Sequence, residues 1–261
     1  AGNHEYYTSE YYHVGELIGK VCAKFKNVHF LQCNTIEFPD LLPNIKIAGC
    51  TLWMTLDEKL RAQALKEIDD YSMIEVQKSK EEIDHQSSEE PDAELPKADK
   101  ERRYLTVEDT ERFHNEHVTW LMNELDQLQS ENLKRQDDEE KQKQLMILTH
   151  HPPTDYPSAD TASSLLSCNH LEHLFQYPVC AWFFGHTRHN IEYIVQSASA
   201  DTTSSTKQKE WNTVIASNKQ GHLHPKITEN YRTDKALHFL CNLLTTLAKL
   251  LPTKRLTPFL L

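Results

Sequence analysis

The sequence lacks several features that would place it in a common class of protein. Its 28 Lys and Arg residues are outnumbered by 39 Asp and Glu residues, which gives a net charge of −11. Binding to a nucleic-acid backbone needs a local excess of Lys and Arg, so we expect no nucleic-acid partner. The six cysteines include no Cys-x-x-Cys pair. This pattern favours reduced core thiols in an intracellular protein over a disulfide scaffold.

Long apolar runs are also missing. The most apolar stretch, residues 237–251, is interrupted by polar residues and is shorter than the roughly 20 residues of a membrane-spanning helix. Its leucines recur at spacings of three and four, which indicates an amphipathic helix. The sequence has no initiator methionine and no signal-peptide pattern. We therefore expect a cytoplasmic protein without a transmembrane segment, and a sequence that is N-terminally incomplete.

Two polar stretches interrupt the rest of the chain. Residues 75–103 are dominated by charged side chains, and residues 196–210 are rich in Ser and Thr. Such compositions bury too little apolar surface to offset the entropy of ordering the chain. We expect both stretches to be disordered insertions.

Outside these stretches, the periodicity of apolar residues predicts mixed α and β structure. Helices are expected at 58–69 and after Thr106, where a Thr is followed three residues later by an acid, as in a capping box. Strands are expected at 28–31, 45–48, 145–148, 179–184, 191–195 and 211–216.

Three polar residues stand where the chain leaves an apolar run or enters a glycine-marked loop. Asn3 lies in Gly-Asn-His-Glu, His150 begins His-His-Pro-Pro, and His186 follows Gly185. Function concentrates at such loops because the rigid strand fixes the side chains that follow it. Imidazole and amide oxygen are suitable ligands for a divalent first-row metal. A pair of metals ~3.5–4 Å apart can clamp an in-line displacement at phosphorus.

In order and separation, these motifs closely resemble those of the calcineurin-like metallophosphoesterase superfamily. The segments 49–53, 69–74, 105–110 and 217–221 are similar to one subgroup of single-domain enzymes. The resemblance covers residues 1–233 as one domain and leaves 234–261 as an extra amphipathic helical tail. It implies a four-layer α/β sandwich, with two mixed β-sheets flanked by helices, that lacks its first strands in this chain.

The resemblance also implies a role for each residue of the motifs. Asn3, His150 and His186 would bind the second metal, which would be manganese, iron or zinc. His4 would lie over the substrate phosphate as a charge stabiliser or proton donor, and Glu5 would orient His4 or a neighbouring backbone group. The residue next to His150 in sequence, His151, would support that ligand or be structural. The nucleophile would be a metal-bound hydroxide.

The sequence departs from the family pattern at the first metal. The family's Asp-x-His and Gly-Asp-x-x-Asp motifs are missing, and Arg188 stands in place of the last motif's second His. Two interpretations stay open. The chain is a fragment of a phosphomonoesterase or phosphodiesterase, a hydrolase that holds two metals when intact. Alternatively, it is a degenerate homologue with one metal or none.

In the degenerate homologue, the guanidinium of Arg188 would pair with phosphate, and the protein would bind phosphate or a partner without hydrolysis. A phosphorylated small molecule is the partner expected for the enzyme. A purely structural zinc site fits less well, because such sites use four closed ligands and often cysteine.

Overall fold

The computed structural model of the chain describes residues 1–79, 82, 101–135, 141–154, 169–187, 190–198 and 210–217. These residues form mixed α/β structure with two mixed β-sheets and four α-helices, so the predicted fold class is confirmed at this level. Arg188 and the predicted tail at 234–261 lie outside the described residues. The chain divides into two compact units.

Helices and strands are interspersed along the chain. The four helices are α1 Tyr11–Cys22, α2 Glu58–Glu67, α3 Asp70–Met73 and α4 Val107–Leu133. The nine strands are β1 Ser9–Glu10, β2 Asn34–Phe38, β3 Leu42–Cys50, β4 Ile74–Gln77, β5 Arg102–Tyr104, β6 Gln144–Thr149, β7 Val179–Phe184, β8 Glu192–Ala198 and β9 Glu210–Ala216.

The first unit contains the described residues of Ala1–Asn34, Gly49–Leu121 and Thr149–Leu171. Its sheet has the order β1-β4-β5, with β1 parallel to β4 and β5 antiparallel to it. An aromatic core formed by Tyr6, Tyr11, Trp53 and Phe113 packs with Ile74 and Val76 of strand β4. Because the aromatic side chains bury large areas, they dominate the packing of this unit.

The second unit contains Thr35–Ala48, Met122–Leu148 and the described residues from Glu172 onward. Its sheet has the order β2-β3-β6-β7-β9-β8, with β7 parallel to β9 and β8 antiparallel to β9. Strands β6 and β7 are near-continuous apolar runs, as expected of strands that are buried on both faces. The strands predicted at 145–148 and 179–184, and the predicted pairing of 191–195 with 211–216, are confirmed.

Side chains that precede the helices set where they begin. Glu10 accepts hydrogen bonds from the backbone N–H groups of Tyr12 and His13 at the start of α1, and Asp57 accepts one at the start of α2. At the start of α4, Thr106 Oγ1 accepts from Asp109 N while Asp109 Oδ2 accepts from Thr106 N. This reciprocal pair confirms the predicted capping box.

The prediction of a strand at 28–31 is wrong. The structure has no strand there, and the chain reaches the sheet only at β2, after Cys33 adopts a positive φ of 52°. The run is short, and Val28 at its start is 43% exposed. A short apolar run predicts a strand only when a neighbouring strand is available to pair with it.

Both stretches predicted to be disordered insertions begin and end with residues that form strands. Strand β4 extends to Gln77 and β5 begins at Arg102, and these two residues pair across the antiparallel ladder. Likewise, β8 extends to Ala198 and pairs with Glu210 at the start of β9. The ends of 75–103 and of 196–210 are therefore strands, whereas residues 80–81, 83–100 and 199–209 lie outside the described residues.

Two further predictions concern the cysteines and the membrane. The four described cysteines, Cys22, Cys33, Cys50 and Cys180, are free thiols, and the last two are buried. Cys168 and Cys241 lie outside the described residues. None of the helices in the described part of the chain combines the length and apolar character needed to cross a membrane.

Candidate metal centre

The Gly-Asn-His-Glu segment folds into a tight turn at the start of the chain. Gly2 N donates to Glu5 Oε2 at 2.5 Å, and a short 3-10 helix, His4–Tyr6, follows. This turn buries Asn3, which is 4% exposed, and leaves His4 on the surface with its ring 4.6 Å from that of Tyr7. Glu5 contacts a backbone group, which is one of the two roles expected for it.

Asn3 and His150 are brought together although 147 residues separate them. Asn3 Oδ1 lies 2.9 Å from His150 Nε2. Two ligand atoms that each lie ~2.1 Å from one metal ion, at right angles, are themselves ~3.0 Å apart. The spacing and the donor types, an amide oxygen and an imidazole nitrogen, fit adjacent ligands of one divalent metal.

Gly2 allows this approach because it has no side chain. A Cβ built on Gly2 would lie 2.5 Å from His150 Cε1 and 2.6 Å from its Nδ1. The backbone of Gly2 thus covers the Nδ1 edge of the imidazole. His150 Nε2 is the nitrogen that faces Asn3, so it is the nitrogen in position to bind a metal.

Asp70, on helix α3, fixes the orientation of the Asn3 amide. Its Oδ1 accepts hydrogen bonds of 2.7 Å from Asn3 Nδ2 and from the Tyr7 hydroxyl. Because Asn3 Nδ2 is bound to this carboxylate, Asn3 Oδ1 faces His150. Burial raises the pKa of Asp70, against the opposing effect of the Tyr7 and Asn3 hydrogen bonds. Burial and the nearby Asp70 also raise the pKa of Tyr7, so its hydroxyl keeps the proton that it donates.

His151 is held by the main chain of Thr51. The carbonyl oxygen of Thr51 accepts from His151 N at 3.1 Å and lies 3.3 Å from its Nδ1. A carbonyl can only accept, so we assign the ring proton to Nδ1. The side chain is fully buried. Asn169 and Leu171 donate to the carbonyls of Pro152 and Pro153 and hold the rest of the loop.

Two histidines of the first unit form part of a potential metal-binding group. His150 and His151 each offer one ligand atom, and the two atoms lie within 4.8 Å of each other. His186 belongs to the second unit, where it sits on the turn after β7 with a positive φ of 64°. His151, expected to support a ligand or to be structural, is thus also a candidate ligand.

Three residues that position the site were not expected from the sequence. Asp70 fixes Asn3, Tyr7 donates to Asp70, and Thr51 fixes His151. Asp70 lies in residues 69–74, which resemble the metallophosphoesterase subgroup as a segment and give Asp70 no individual role. Nothing in its local pattern distinguishes it from Asp69, which is exposed. Its buried position depends on tertiary packing, which a single sequence does not reveal.

Comparison with known proteins finds a similarity to the uncharacterized protein L509 of Acanthamoeba polyphaga mimivirus. The two are 23% identical over 241 residues, which cover 86% of this chain and 68% of the viral protein. No family model matches the chain. No solved structure matches it either.

Proposed function

We propose that the chain carries a metal-dependent phosphoester site of the metallophosphoesterase type, whose chemistry is the hydrolysis of a phosphomonoester or phosphodiester. The observation that carries the proposal is the 2.9 Å separation of Asn3 Oδ1 and His150 Nε2 within the Gly-Asn-His-Glu and His-His-Pro-Pro motifs. His186 is the proposed third ligand. The metal would be manganese, iron or zinc, all of which accept these donors.

Each residue has a distinct part in the proposed chemistry. The metal, when bound, supplies a Lewis acid that polarises a phosphoryl oxygen. Asn3, His150 and His186 hold it, and Asp70 keeps the Asn3 oxygen turned toward His150. His4 is at the surface beside Tyr7, where its imidazolium can stabilise charge on the phosphate or donate a proton to the leaving oxygen.

The two mixed sheets also support the proposal that the chain has a metallophosphoesterase-type fold. A four-layer sandwich, with both sheets flanked by helices, is the architecture that the motif resemblance implies. The described residues supply a three-stranded and a six-stranded mixed sheet, together with strands β6 and β7, which end in the loops that carry His150 and His186.

Phosphate binding without hydrolysis is the second candidate function. The 261 residues contain neither Asp-x-His nor Gly-Asp-x-x-Asp, and Arg188 takes the place of the last motif's second histidine. These changes fall on ligands of the first metal, including the carboxylate that would bridge both metals, whereas the three non-bridging ligands proposed for the second metal are kept. One metal and a fixed guanidinium can hold a phosphate without supplying the second metal's contribution to hydrolysis.

Metal binding is the direct test of the site. Titration of the purified chain with Co²⁺, followed by its visible absorption, is expected to give one site with nitrogen and oxygen ligands. His150→Ala and Asn3→Ala are each expected to lower the affinity ~10-fold or more, the loss typical of removing a group that binds or orients a metal. His173→Ala removes an exposed histidine and serves as the control. Equal affinity in all four proteins would refute the site.

Hydrolysis of bis-p-nitrophenyl phosphate with Mn²⁺ separates the two candidate functions. Because the first-metal ligands are missing, we expect the 261-residue chain to bind inorganic phosphate in a metal-dependent manner and to turn over the ester only weakly. Robust hydrolysis that is lost in Asn3→Ala would instead make the chain a complete hydrolase. If phosphate does not bind when the metal site is saturated, both candidates fail.

A further inference from the structure

Four large apolar side chains are exposed close together in the first unit, at the end of α1 and just after it. Leu17, Val21, Phe25 and Val28 are 45, 51, 54 and 43% exposed. Exposed apolar side chains that occur singly need no explanation, whereas a group of them marks a surface that interacts with something apolar. We call residues 17–28 the apolar-basic segment.

The backbone brings these side chains onto successive turns. Leu17 and Val21 are four residues apart on α1, so they lie on one face of the helix. Beyond the helix, Phe25 N donates to Cys22 O at 3.0 Å, and Val28 N donates to Phe25 O at 3.5 Å. These turns keep the segment compact, so the apolar side chains stay near one another.

The same segment is basic although the protein is acidic. Lys20, Lys24 and Lys26 are exposed, and residues 17–36 contain no Asp or Glu, while the whole chain has a net charge of −11. Lys20 pairs with Glu16 at 3.2 Å, but both side chains are well exposed and such pairs are weak. Within the described part of the chain, Lys24 and Lys26 form no ion pair. What binds this surface should therefore carry negative charge.

Other parts of the chain match only half of this surface. Residues 83–100 contain six Asp and Glu residues but only two large apolar residues, Ile83 and Leu95. Residues 235–261 are rich in leucine but carry four Lys and Arg residues and no acid, so their charge has the same sign as that of the segment. A second copy of the segment would be repelled for the same reason. An anionic lipid surface supplies both properties, because its head groups attract lysine and its interface accepts apolar side chains.

We propose that the apolar-basic segment binds the surface of an anionic lipid bilayer, with its lysines at the head groups and Phe25 inserted at the interface. Phe25 is the largest and the most exposed of the four apolar side chains. Amphipathic helices with Lys on one side and Phe or Leu on the other lie in the plane of such an interface. The segment contains none of the candidate metal ligands, so lipid binding and the proposed phosphoester chemistry can each be present without the other.

Co-sedimentation with lipid vesicles tests the proposal. The purified chain, in EDTA, is mixed with vesicles of phosphatidylcholine alone or of phosphatidylcholine with phosphatidylserine. We expect binding to the anionic vesicles only, and a loss of binding as salt is added, because salt screens the attraction. The proposal is overturned if the chain binds neither kind of vesicle or both equally. If it binds polyglutamate but no vesicle, the partner is an acidic polypeptide and the proposal is likewise wrong.

The lysines are tested with a matched pair of double variants. Lys24→Gln with Lys26→Gln is expected to weaken vesicle binding ~25-fold, since each lysine near an anionic surface contributes about 5-fold. Lys59→Gln with Lys66→Gln removes the same charge from exposed positions on α2 of the same unit and should have little effect. An equal loss in both double variants would show that only net charge matters, which contradicts the proposal.

The apolar contact is tested separately. Phe25→Ser is expected to weaken vesicle binding about 5-fold or more, because it removes a ring that becomes partly buried in the interface. Leu65→Ser, at a position on α2 that is 52% exposed, is the control and should bind as the wild type does. Both positions are exposed, so both variants should fold, and circular dichroism checks this. If Phe25→Ser binds as tightly as the wild type, no side chain is inserted there and the proposal fails.

Discussion

At the scale of single residues, Asp70 accepts hydrogen bonds from two side chains, and the two bonds have different effects on the candidate metal site. Its bond from Asn3 orients a candidate metal ligand, whereas its bond from Tyr7 joins two residues that are not ligands. Because the Tyr7 bond does not orient a ligand, substitutions can separate the effect on metal affinity from the effect on stability.

Asp70→Ala is expected to lower metal affinity ~10-fold, because loss of a group that orients a ligand typically has this effect. It also leaves the Asn3 amide unpaired in a buried position, so the free energy of unfolding should fall by ~1–3 kcal/mol. Co²⁺ titration and urea unfolding in EDTA measure the two effects.

Two matched variants sharpen this prediction. Asp70→Asn keeps an acceptor oxygen and should restore most of the metal affinity. Tyr7→Phe removes only the hydroxyl bond and should lower stability with little change in metal affinity. If Tyr7→Phe weakened metal binding as much as Asp70→Ala, the proposed orienting role of Asp70 would be wrong.

The sequence revealed the candidate ligands but not the residues that hold them. Asn3, His150 and His186 could be predicted because each lies in a motif with an unusual combination of residue types. Asp70, Tyr7 and Thr51 act through contacts between residues that are 63 to 100 positions apart in sequence. A local pattern carries no information about such contacts, so these residues became apparent only in the structure.

At the scale of elements, the start of α4 is held by a reciprocal cap and by an ion pair. Arg103, in β5, donates to both oxygens of Asp109, which also bonds to the backbone and hydroxyl of Thr106. Burial by itself would raise the pKa of Asp109, but the bonds from Arg103 and Thr106 outweigh it, and the pKa is lowered.

Thr106→Ala is expected to lower the free energy of unfolding by about 1 kcal/mol, the usual effect of removing a helix N-cap. Thr106→Ser keeps the hydroxyl and should retain most of that stability. Urea denaturation at pH 7 measures both variants. If the Ser and Ala variants were equally destabilised, the hydroxyl would not be the stabilising group.

Some elements could be predicted from sequence better than others. Strands β6 and β7 are continuous apolar runs, so their composition alone predicts that they are buried. Strand β4 alternates buried Ile74 and Val76 with more exposed residues, and its four residues run directly into a charged stretch. Composition averaged over that stretch conceals the alternation, which is why the predicted insertion began too early.

At the scale of the whole molecule, stability is expected to depend on pH through two groups that titrate in different ranges. The pKa of His117 is lowered to about 4 by burial, while an unfolded histidine has a pKa of ~6.5. Between these values the unfolded state binds more protons, so stability decreases as the pH falls from ~6.5 to about 4. Asp109, whose pKa is lowered, adds a further loss below its unfolded pKa of ~3.9.

The pH range between the folded and unfolded pKa values of His117 predicts how far the free energy of unfolding falls. A difference of about 2.5 pKa units corresponds to a decrease of about 3 kcal/mol across this range, at 1.36 kcal/mol per unit. Urea unfolding at a series of pH values in EDTA measures it, and His117→Phe should flatten the profile between pH 4 and 6.5. Burial also lowers the pKa of His114, so a smaller slope of the same sign should persist. An unchanged profile in His117→Phe would contradict the assignment.

The turn that carries Gly-Asn-His-Glu has a consequence for the substitutions that evolution can accept there. The contact of Gly2 with His150 excludes every side chain, and Asn3 must present an oxygen on one side and an N–H group on the other. At position 5, however, the hydrogen bond to Gly2 N needs only an acceptor. Glutamine could supply it, so divergent relatives that keep the site should vary first at the fourth letter of the motif and last at its first two.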